Sequence, residues 1–510
     1  MSGAKKLLHN TLLLTAASFI MRTVAVSFNV YLTEKIGADG IGLFQLISSV
    51  YAMAITFASG GIKLASMRLV ADNQSSGKHS ERRIMTTCLL YSLICGIIIA
   101  VILFKCSGFI GTKWIGDVKS ISSLKVLSLS LPFISASAAL GGYFTAKGKV
   151  FRFTLVQLCE QILKIVVTVL SLRSVASYGT EASCIAIVFG ITVTEIFSMI
   201  ASFVIYRITS RKSESGGKIR DIIEKLFHIA IPDAVGSQMR SVLMTVEHLL
   251  IPVGFRKSGI NQQSAMATYG VIHGMCLPLV LYPSALLSSL SGLLVPEISA
   301  QHSLGNKSRI SYMTHRVLHL ALLFSIGTAG IIYFNAEELS TGIYSDNSVT
   351  FYTRLLSPLI PVMYLDMTID GILKGLDQQK SYMRYNIIDA CICVVFVYIL
   401  VPVFSVKGYI FVVFLSEIIN FALSFRRLTI VSEVRVDLFR DIIVPIGCVI
   451  CAGTAKNIIF PADNMQSGNT FFAVCSVVFS VIIYLFLLKI FSSIDNEEIL
   501  WAKKAVIKNR

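Results

Sequence analysis

Two arginines lie in the middle of apolar stretches, where an isolated charge is unfavourable. Arg22 interrupts the segment 11–32 (TLLLTAASFIMRTVAVSFNVYL), and Arg240 interrupts a second apolar segment near the middle of the chain. The tetrapeptides that contain them, MRTV and MRSV, are near copies of each other. An arginine at the centre of a membrane costs about 2.5–3.5 kcal/mol on insertion scales. Both side chains are therefore expected to face a water-filled cavity or a partner, which makes them candidate binding residues.

Acids and one lysine occur in other apolar segments and are candidates for coupling or gating. Glu160 and Lys164 are four residues apart, so they share one helix face and can pair. Glu195 stands alone in GITVTEIFSMI, and Asp389 is the single acid of a later segment. Glu247 lies seven residues beyond the second of the two arginines, about two turns along the same helix. Ionisable residues inside membrane segments are functional candidates by default.

The composition excludes most soluble classes of protein. Of 510 residues, 54% are hydrophobic and only 15% are charged, whereas about a quarter are charged in soluble domains. The formal net charge of +16 resides in short loops between apolar segments, which indicates membrane topology and anionic lipid rather than nucleic acid. The sequence has no phosphate-binding loop, zinc motif or nucleophile elbow. No enzymatic activity, cofactor or metal is expected.

The apolar segments predict an all-α, polytopic membrane protein with about fourteen transmembrane helices. Loops on the side of the N-terminus carry about three times as many lysines and arginines as loops on the other side. Both termini are therefore predicted to be cytoplasmic, in a multi-pass protein of the bacterial plasma membrane. The predicted spans are roughly 11–32, 41–62, 85–104, 121–142, 153–172, 183–206, 227–252, 266–294, 312–334, 352–373, 384–404, 408–425, 441–460 and 470–490. Pro278 and Pro283 interrupt the long span 266–294, which predicts a bend there.

The two arginine-bearing segments each open a set of six spans, which predicts an internal repeat. The long polar connection 207–225 (RITSRKSESGGKIRDIIEK) separates the sets and reads as a cytoplasmic linker. The predicted organisation is an N-terminal lobe (1–206), this linker, a C-terminal lobe (226–430), and two extra helices with a tail (431–510). Transporters built from two parallel repeats bind their substrate between the halves. Arg22 and Arg240 are thus expected to face one central cavity.

Two long stretches of the sequence are similar to a known family. The first is SFIMRTVAVSFNVYLTEKIGADGIGLFQLISSVYAMAITFASGGIKLASMRLVAD, with an arginine in its first helix, a G-x-x-G-I-G-L-F-x-L turn and a Gly-Gly-Ile. The second is YGVIHGMCLPLVLYPSALLSSLSGLLVPEIS. They resemble the polysaccharide-transport family, in particular the stage V sporulation protein B group. This family belongs to the multidrug/oligosaccharidyl-lipid/polysaccharide (MOP) flippase superfamily, and the resemblance covers essentially the whole chain.

The resemblance implies a flippase for an undecaprenyl-pyrophosphate-linked saccharide, such as a polysaccharide unit or a peptidoglycan precursor for the spore cortex. The related lipid II flippases hold the pyrophosphate with arginines in a central cavity. Arg22 matches such a position, whereas Arg240 is an extension from the internal repeat. The last two helices, at 441–490, would form a groove for the lipid tail. The expected partners are the lipid-linked saccharide, membrane lipids and cell-wall synthases.

Two alternatives stay open at the level of sequence. A multidrug antiporter of the same superfamily would couple Na⁺ or H⁺ to a cationic drug, and Glu195, Glu247 and Asp389 are acids that could form its ion site. An arginine without an acid in the first helix disfavours a cationic substrate. A membrane scaffold that recruits cell-wall synthases would move nothing, and it would have no use for arginines in both halves.

Overall fold

The computed structural model describes residues 3–76, 80–175, 179–210, 219–344, 347–434, 437–461, 470–491 and 493. Nearly all of these residues are helical, and no β-strand occurs among them. The all-α prediction is confirmed. Part of the predicted linker, 211–218, and the tail beyond 493 lie outside the described residues.

The α-helices, labelled in chain order, are α1 (Gly3–Ser59), α2 (Ile62–Ser76), α3 (Glu81–Phe109), α4 (Ser120–Ser128), α5 (Leu131–Ala146), α6 (Val150–Val175), α7 (Thr180–Thr209), α8 (Ile219–Lys257), α9 (Gln262–Gly270), α10 (Leu277–Leu281), α11 (Ser284–Ser303), α12 (Lys307–Phe334), α13 (Ala336–Ile343), α14 (Ser348–Leu356), α15 (Ile360–Gly375), α16 (Gln379–Ser432), α17 (Val444–Ile459) and α18 (Thr470–Ile490). In the described part of the chain, π-helical segments occur at Ile110–Ile115, Val271–Cys276 and Phe439–Ile443, and a 3₁₀ turn occurs at Ser357–Leu359.

Two of these helices are too long for a single membrane crossing. α1 has 57 residues and α16 has 54, so each would measure about 80 Å if it were straight, against about 30 Å for the hydrocarbon core. Each contains one non-helical residue, Gly37 (φ 72°) in α1 and Ser405 (φ 53°) in α16. Glycine adopts a positive φ without strain, whereas serine does so rarely. Each helix therefore covers two of the predicted spans.

Ten helices in the described ranges are long and apolar enough to cross a membrane, or eleven if the bent pair α4–α5 counts as one span. The two broken helices are each counted once in that number. α8, which contains Arg240, Glu247 and His248, is not among the ten. The prediction of a polytopic membrane protein is confirmed, and the exact number of fourteen crossings stays a prediction.

Several helices expose continuous apolar stripes. On α3 the exposed residues Ile94, Ile97, Ile98, Val101 and Ile102 recur at the spacing of one helix face. A stripe of this length is unfavourable in water and favourable against lipid tails. It identifies the lipid-facing side of this helix.

The chain divides into two compact units. Unit 1 comprises residues 1–34, 268–396 and 406–510, and unit 2 comprises 35–267 and 397–405. The start of α1 thus belongs with helices of the second half, and α8 belongs with helices of the first half. These units cut the chain differently from the lobes 1–206 and 226–430, which stay a prediction.

Unit 2 is held together by close approach of small residues around an aromatic core. Tyr143 and Phe144 on α5 are buried among residues of α2, α3 and α8. Gly142 faces α2 so closely that a Cβ there would collide with the Ser66 side chain. The Ser66 hydroxyl donates to the carbonyl of Ala139 at 2.9 Å. Small residues of this kind allow helices to approach closely in a membrane, where the hydrophobic effect does not drive their association.

Unit 1 packs the last two helices against α12 in the same manner. Gly327 and Gly330 on α12 face Tyr484 of α18 and Val449 of α17, and a Cβ at either glycine would collide with its neighbour. The Tyr484 hydroxyl donates to the carbonyl of Leu323 at 2.7 Å. α17 and α18 are therefore an integral part of unit 1.

Candidate functional site

Arg22 is half-buried in the part of α1 that belongs to unit 1. Its Nη2 donates to the backbone carbonyl of Leu281 at 2.7 Å. The neighbouring Thr23 hydroxyl is hydrogen-bonded to the Tyr282 hydroxyl at 2.9 Å. Among the described residues, no carboxylate forms an ion pair with Arg22. The guanidinium is thus anchored by a neutral oxygen, and its charge is not cancelled by an acid within those residues.

The carbonyl that holds Arg22 is available because the helix after residue 262 is broken. The sequence predicts a bend there from Pro278 and Pro283, and the structure confirms it with a π-helical segment followed by a break before α11. A proline removes one helical N–H donor and leaves a carbonyl four residues earlier without its partner. The carbonyl of Gly274, four residues before Pro278, accepts from the Asn29 amide instead.

A tyrosine hydroxyl satisfies a further carbonyl of the broken helix. Tyr364 on α15 is fully buried and donates to the carbonyl of Val280 at 2.6 Å. Arg22 lies close enough to Tyr364 to interact with it electrostatically. The result is a polar patch of hydroxyls, carbonyls and one guanidinium inside an apolar unit, which we call the Arg22 site (Arg22, Thr23, Leu281, Tyr282 and Tyr364).

Arg240 lies on α8 in unit 2, so the two repeated arginines belong to different compact units. Arg240 is half-buried, and both it and Glu247 interact with other groups of the protein. The seven-residue spacing places both side chains along one side of α8. Thr245, between them, is buried and donates to the carbonyl of Ser49 on α1 at 3.1 Å. A shared cavity for Arg22 and Arg240 stays a prediction.

The predicted pair Glu160–Lys164 is present on α6. Lys164 Nζ lies 3.6 Å from Glu160 Oε1, and the side chains are 21% and 16% exposed. Glu195 on α7 interacts electrostatically with both. The structure thus brings three of the candidate coupling residues into one cluster in unit 2, with two acids and one base.

Asp389 belongs to unit 1 and accepts a hydrogen bond from the Ser416 hydroxyl, both residues being on α16. The Cys393 thiol lies 2.9 Å from the same hydroxyl. A second acid nearby in sequence, Asp366 on α15, accepts from the Asn420 amide at 2.9 Å. Asp389 thus accepts a hydrogen bond from a hydroxyl, and Asp366 accepts one from an amide. Within the described ranges, no group of three or more His, Cys, Asp and Glu is arranged to hold a metal ion.

An apolar trough of about 790 Å³ runs along unit 1. The side chains that line it come from α12, α15, α16 and α17, and include Leu322, Ile326, Leu365, Phe421, Phe425 and Ile446. Of the two extra helices, α17 contributes to the wall, and α18 packs against α12, α13 and α17. Of these two helices, only α17 has described residues that line the trough, and a groove for the lipid tail at 441–490 stays a prediction.

Two buried polar junctions were not predicted from the sequence. Lys456 on α17, near the end of the predicted span 441–460, is 1% exposed, and its ammonium contacts the Glu338 carboxylate of α13. At the other end of α17, buried His319 on α12 is hydrogen-bonded to Asp441 at 2.6 Å. The only available sequence signal was a charged residue at each edge of an apolar run, and residues at such edges are usually solvated.

Comparison with known proteins agrees with this architecture. Residues 7–253 match the family described as polysaccharide biosynthesis protein. Stage V sporulation protein B of Bacillus subtilis (strain 168) is 20% identical over 503 residues, which cover 96% of each chain. Lipid II flippase MurJ of the same organism is 20% identical over 416 residues, or 74% of each chain.

Solved structures show the same fold. Lipid II flippase MurJ in an inward closed conformation superposes with a TM-score of 0.70 at 15% identity, covering 94% of this chain and 98% of that one. An inward-facing multidrug resistance MATE family transporter superposes with a TM-score of 0.61 at 14% identity, covering 81% of this chain and 96% of that one. These relatives are named for transport rather than for catalysis. The chain is thus similar over residues 7–253 to a polysaccharide biosynthesis family, and it is a multi-pass membrane protein that shares its fold with the lipid II flippase and MATE transporter structures.

Proposed function

We propose that the protein translocates an undecaprenyl-pyrophosphate-linked saccharide across the bacterial plasma membrane, with the pyrophosphate bound at the Arg22 site. The observation that carries this proposal is the state of Arg22, a half-buried guanidinium held by the carbonyl of Leu281 without an acid ion pair among the described residues. A pyrophosphate is a compact multiple anion, and the planar fork of arginine binds its oxygens in pairs. The substrate would supply the missing negative charge.

The rest of unit 1 supports an amphiphilic substrate. The Thr23 and Tyr282 hydroxyls lie beside the guanidinium and can exchange hydrogen bonds with phosphate or sugar oxygens. The apolar trough belongs to the same unit and provides a surface for hydrocarbon. Arg240 is proposed as a second pyrophosphate ligand, and movement of the two six-helix lobes would give alternating access to the site. Cell-wall synthases that use the product are the proposed protein partners.

The proposal is tested by measuring lipid flipping or complementation with Arg22→Ala and Arg22→Lys at matched expression. The alanine variant should be inactive and the lysine variant partly active, because lysine keeps the charge but loses the two-pronged geometry. Native mass spectrometry of the purified protein should identify a co-purifying pyrophosphate-linked saccharide. Full activity of Arg22→Ala would contradict the proposal.

The acid cluster of unit 2 supports a second candidate, the multidrug antiporter. Glu160, Lys164 and Glu195 interact with one another inside the membrane segments, and acids at such positions can carry a coupling ion. An antiporter would tolerate Arg22→Ala but not Glu195→Gln, whereas the flippase should show the larger loss with Arg22→Ala. The membrane scaffold has no such observation in its favour.

A further inference from the structure

A second pocket, which contains three polar side chains among apolar ones, adjoins the apolar trough at the Phe334 end of α12. The pocket has a volume of about 600 Å³, and Tyr333 and Pro358 line both cavities. The trough follows α12 from Leu318 to Tyr333, a distance of about 22 Å at 1.5 Å per residue. A hydrocarbon chain lying in the trough could therefore place its polar end in the pocket.

The pocket carries groups that suit a phosphate. Arg354, in the last turn of α14, supplies a guanidinium, and Asn347 supplies a side-chain amide. The hydroxyl oxygen of Thr350 is buried, and it has no hydrogen-bond partner among the described residues. Phe351 completes an apolar rim. A cation with amide and hydroxyl donors, next to apolar walls, matches the phosphate end of a lipid.

Arg354 already forms an ion pair with an acid, but this ion pair is weak. Its Nη2 lies 3.2 Å from the Glu337 carboxylate, and the two side chains are 45% and 47% exposed. Exposed ion pairs of this kind contribute little to stability. A phosphate carries more charge than one carboxylate and can accept two guanidinium hydrogen bonds, so it can displace Glu337. Glu337 would neutralise Arg354 while the pocket is empty.

We propose that this pocket holds the phosphate of a polyprenyl lipid whose chain lies in the apolar trough. This inference rests on the proposed function and deepens it, because it gives the lipid a phosphate site in addition to Arg22. With the predicted topology, the Phe334 end of α12 is the extracytoplasmic end. The pocket would then hold the lipid after translocation, before it leaves the protein.

The test measures binding of undecaprenyl phosphate to the full-length chain by native mass spectrometry. Arg22→Ala is used as the background, so that the Arg22 site does not contribute. Adding Arg354→Gln should weaken binding about tenfold, since the charge-assisted hydrogen bonds from the guanidinium to the phosphate are lost. Adding Glu337→Gln should strengthen binding, because the competing carboxylate charge is removed. Arg173→Gln, which changes an exposed arginine at the end of α6, is the matched control and should change nothing.

A second set of variants tests the hydrocarbon part. Val362→Trp should obstruct the trough and weaken binding, whereas Met367→Trp, on an exposed position of the same helix, should not. Inorganic pyrophosphate and phosphatidylglycerol are measured as competing ligands. Equal binding with and without Arg354→Gln would overturn the inference. So would equally tight binding of pyrophosphate alone, which indicates a free-phosphate site, or of phosphatidylglycerol, which indicates a general phospholipid site.

The result of this binding test can be distinguished from the result of the flipping test for the proposed function. Loss of flipping in the single variant Arg22→Ala supports the flippase whether or not the pocket binds lipid. Retained flipping in that variant contradicts the proposed function even when binding depends on Arg354.

Discussion

Arg22 and Lys456 are cations of unit 1 that lie in apolar segments, and their surroundings differ. Lys456 contacts the carboxylate of Glu338 and also donates to the carbonyl of Phe334 at 3.2 Å. Arg22 donates to the carbonyl of Leu281 and forms no ion pair with an acid of the described residues. Lys456 is also the more deeply buried of the two. The presence of a counter-ion therefore distinguishes a cation that holds the fold from one that is available to a ligand.

The physical reason is that a buried ion pair is satisfied internally. Removing either charge leaves the other desolvated and uncompensated, which is strongly unfavourable. A cation held only by carbonyl oxygens keeps its net charge and attracts an anion. The comparison thus predicts that substitutions at Arg22 reduce transport and leave the fold intact, whereas substitutions at Lys456 weaken the fold.

The largest effect is expected for Arg22→Ala. Transport should fall about 100-fold or more, because two charge-assisted hydrogen bonds of about 1.5–3 kcal/mol each are lost. The thermal unfolding temperature should not fall, since a charge unfavourable in the membrane is removed. Lipid flipping in proteoliposomes and unfolding in detergent measure the two quantities on the same preparation.

Arg173→Ala is the matched control for this experiment, because Arg173 is an exposed arginine of a membrane helix. It should retain full transport. If Arg22→Ala unfolded at a lower temperature while its residual transport stayed high, Arg22 would belong with Lys456 as a structural cation.

The next largest effect is on stability, for Lys456→Met. The free energy of unfolding should fall by about 3–5 kcal/mol, because the Glu338 carboxylate would be left buried without its counter-ion. The double variant Lys456→Met/Glu338→Gln should recover much of this loss. Lys489→Met, at an exposed lysine near the end of α18, should have little effect. If the double variant were as unstable as the single one, the two charges would not be stabilised mainly by each other.

A smaller effect is expected for the partly exposed pair Glu160–Lys164. Lys164→Met should reduce the free energy of unfolding by about 1 kcal/mol, since partial exposure weakens the interaction. Glu160→Gln/Lys164→Met should be better tolerated than the single change in both unfolding and transport. Lys105→Met, at an exposed lysine of α3, is the control. Loss of transport in the stable double variant would assign the pair a role in coupling.

The sequence was sufficient to predict the helices and to identify the charged candidate residues, because both depend on local patterns. Apolar length predicted the membrane helices, and the spacing of four predicted the Glu160–Lys164 contact. Pro278 and Pro283 predicted the break that frees the carbonyls around Arg22. These inferences need no knowledge of which helices are neighbours.

The sequence was not sufficient for contacts between distant segments. Glu338 and Lys456 are 118 residues apart, and no local pattern links them. The division of the chain into two compact units could not be predicted from the sequence either. Internal repetition shows which segments are alike but not which segments pack together. Arg22 and Arg240 were paired by their similarity, whereas packing places them in different units.

The smallest effect is expected for Glu247→Gln, which tests whether Arg240 resembles Arg22 or Lys456. Glu247 shares a side of α8 with Arg240, so it can neutralise the arginine in one conformation and release it in another. Glutamine keeps the shape of the side chain but removes its charge. The maximal rate of flipping should therefore change a few-fold, while the half-saturating concentration of lipid changes less, because the substitution alters the balance of conformations more than the binding contacts. Glu224→Gln, at an exposed position of the same helix, is the control and should leave both parameters unchanged. A change confined to the half-saturating concentration would place Glu247 among the substrate contacts. A lower unfolding temperature with normal flipping would instead make Arg240 and Glu247 a structural pair, like Lys456 and Glu338.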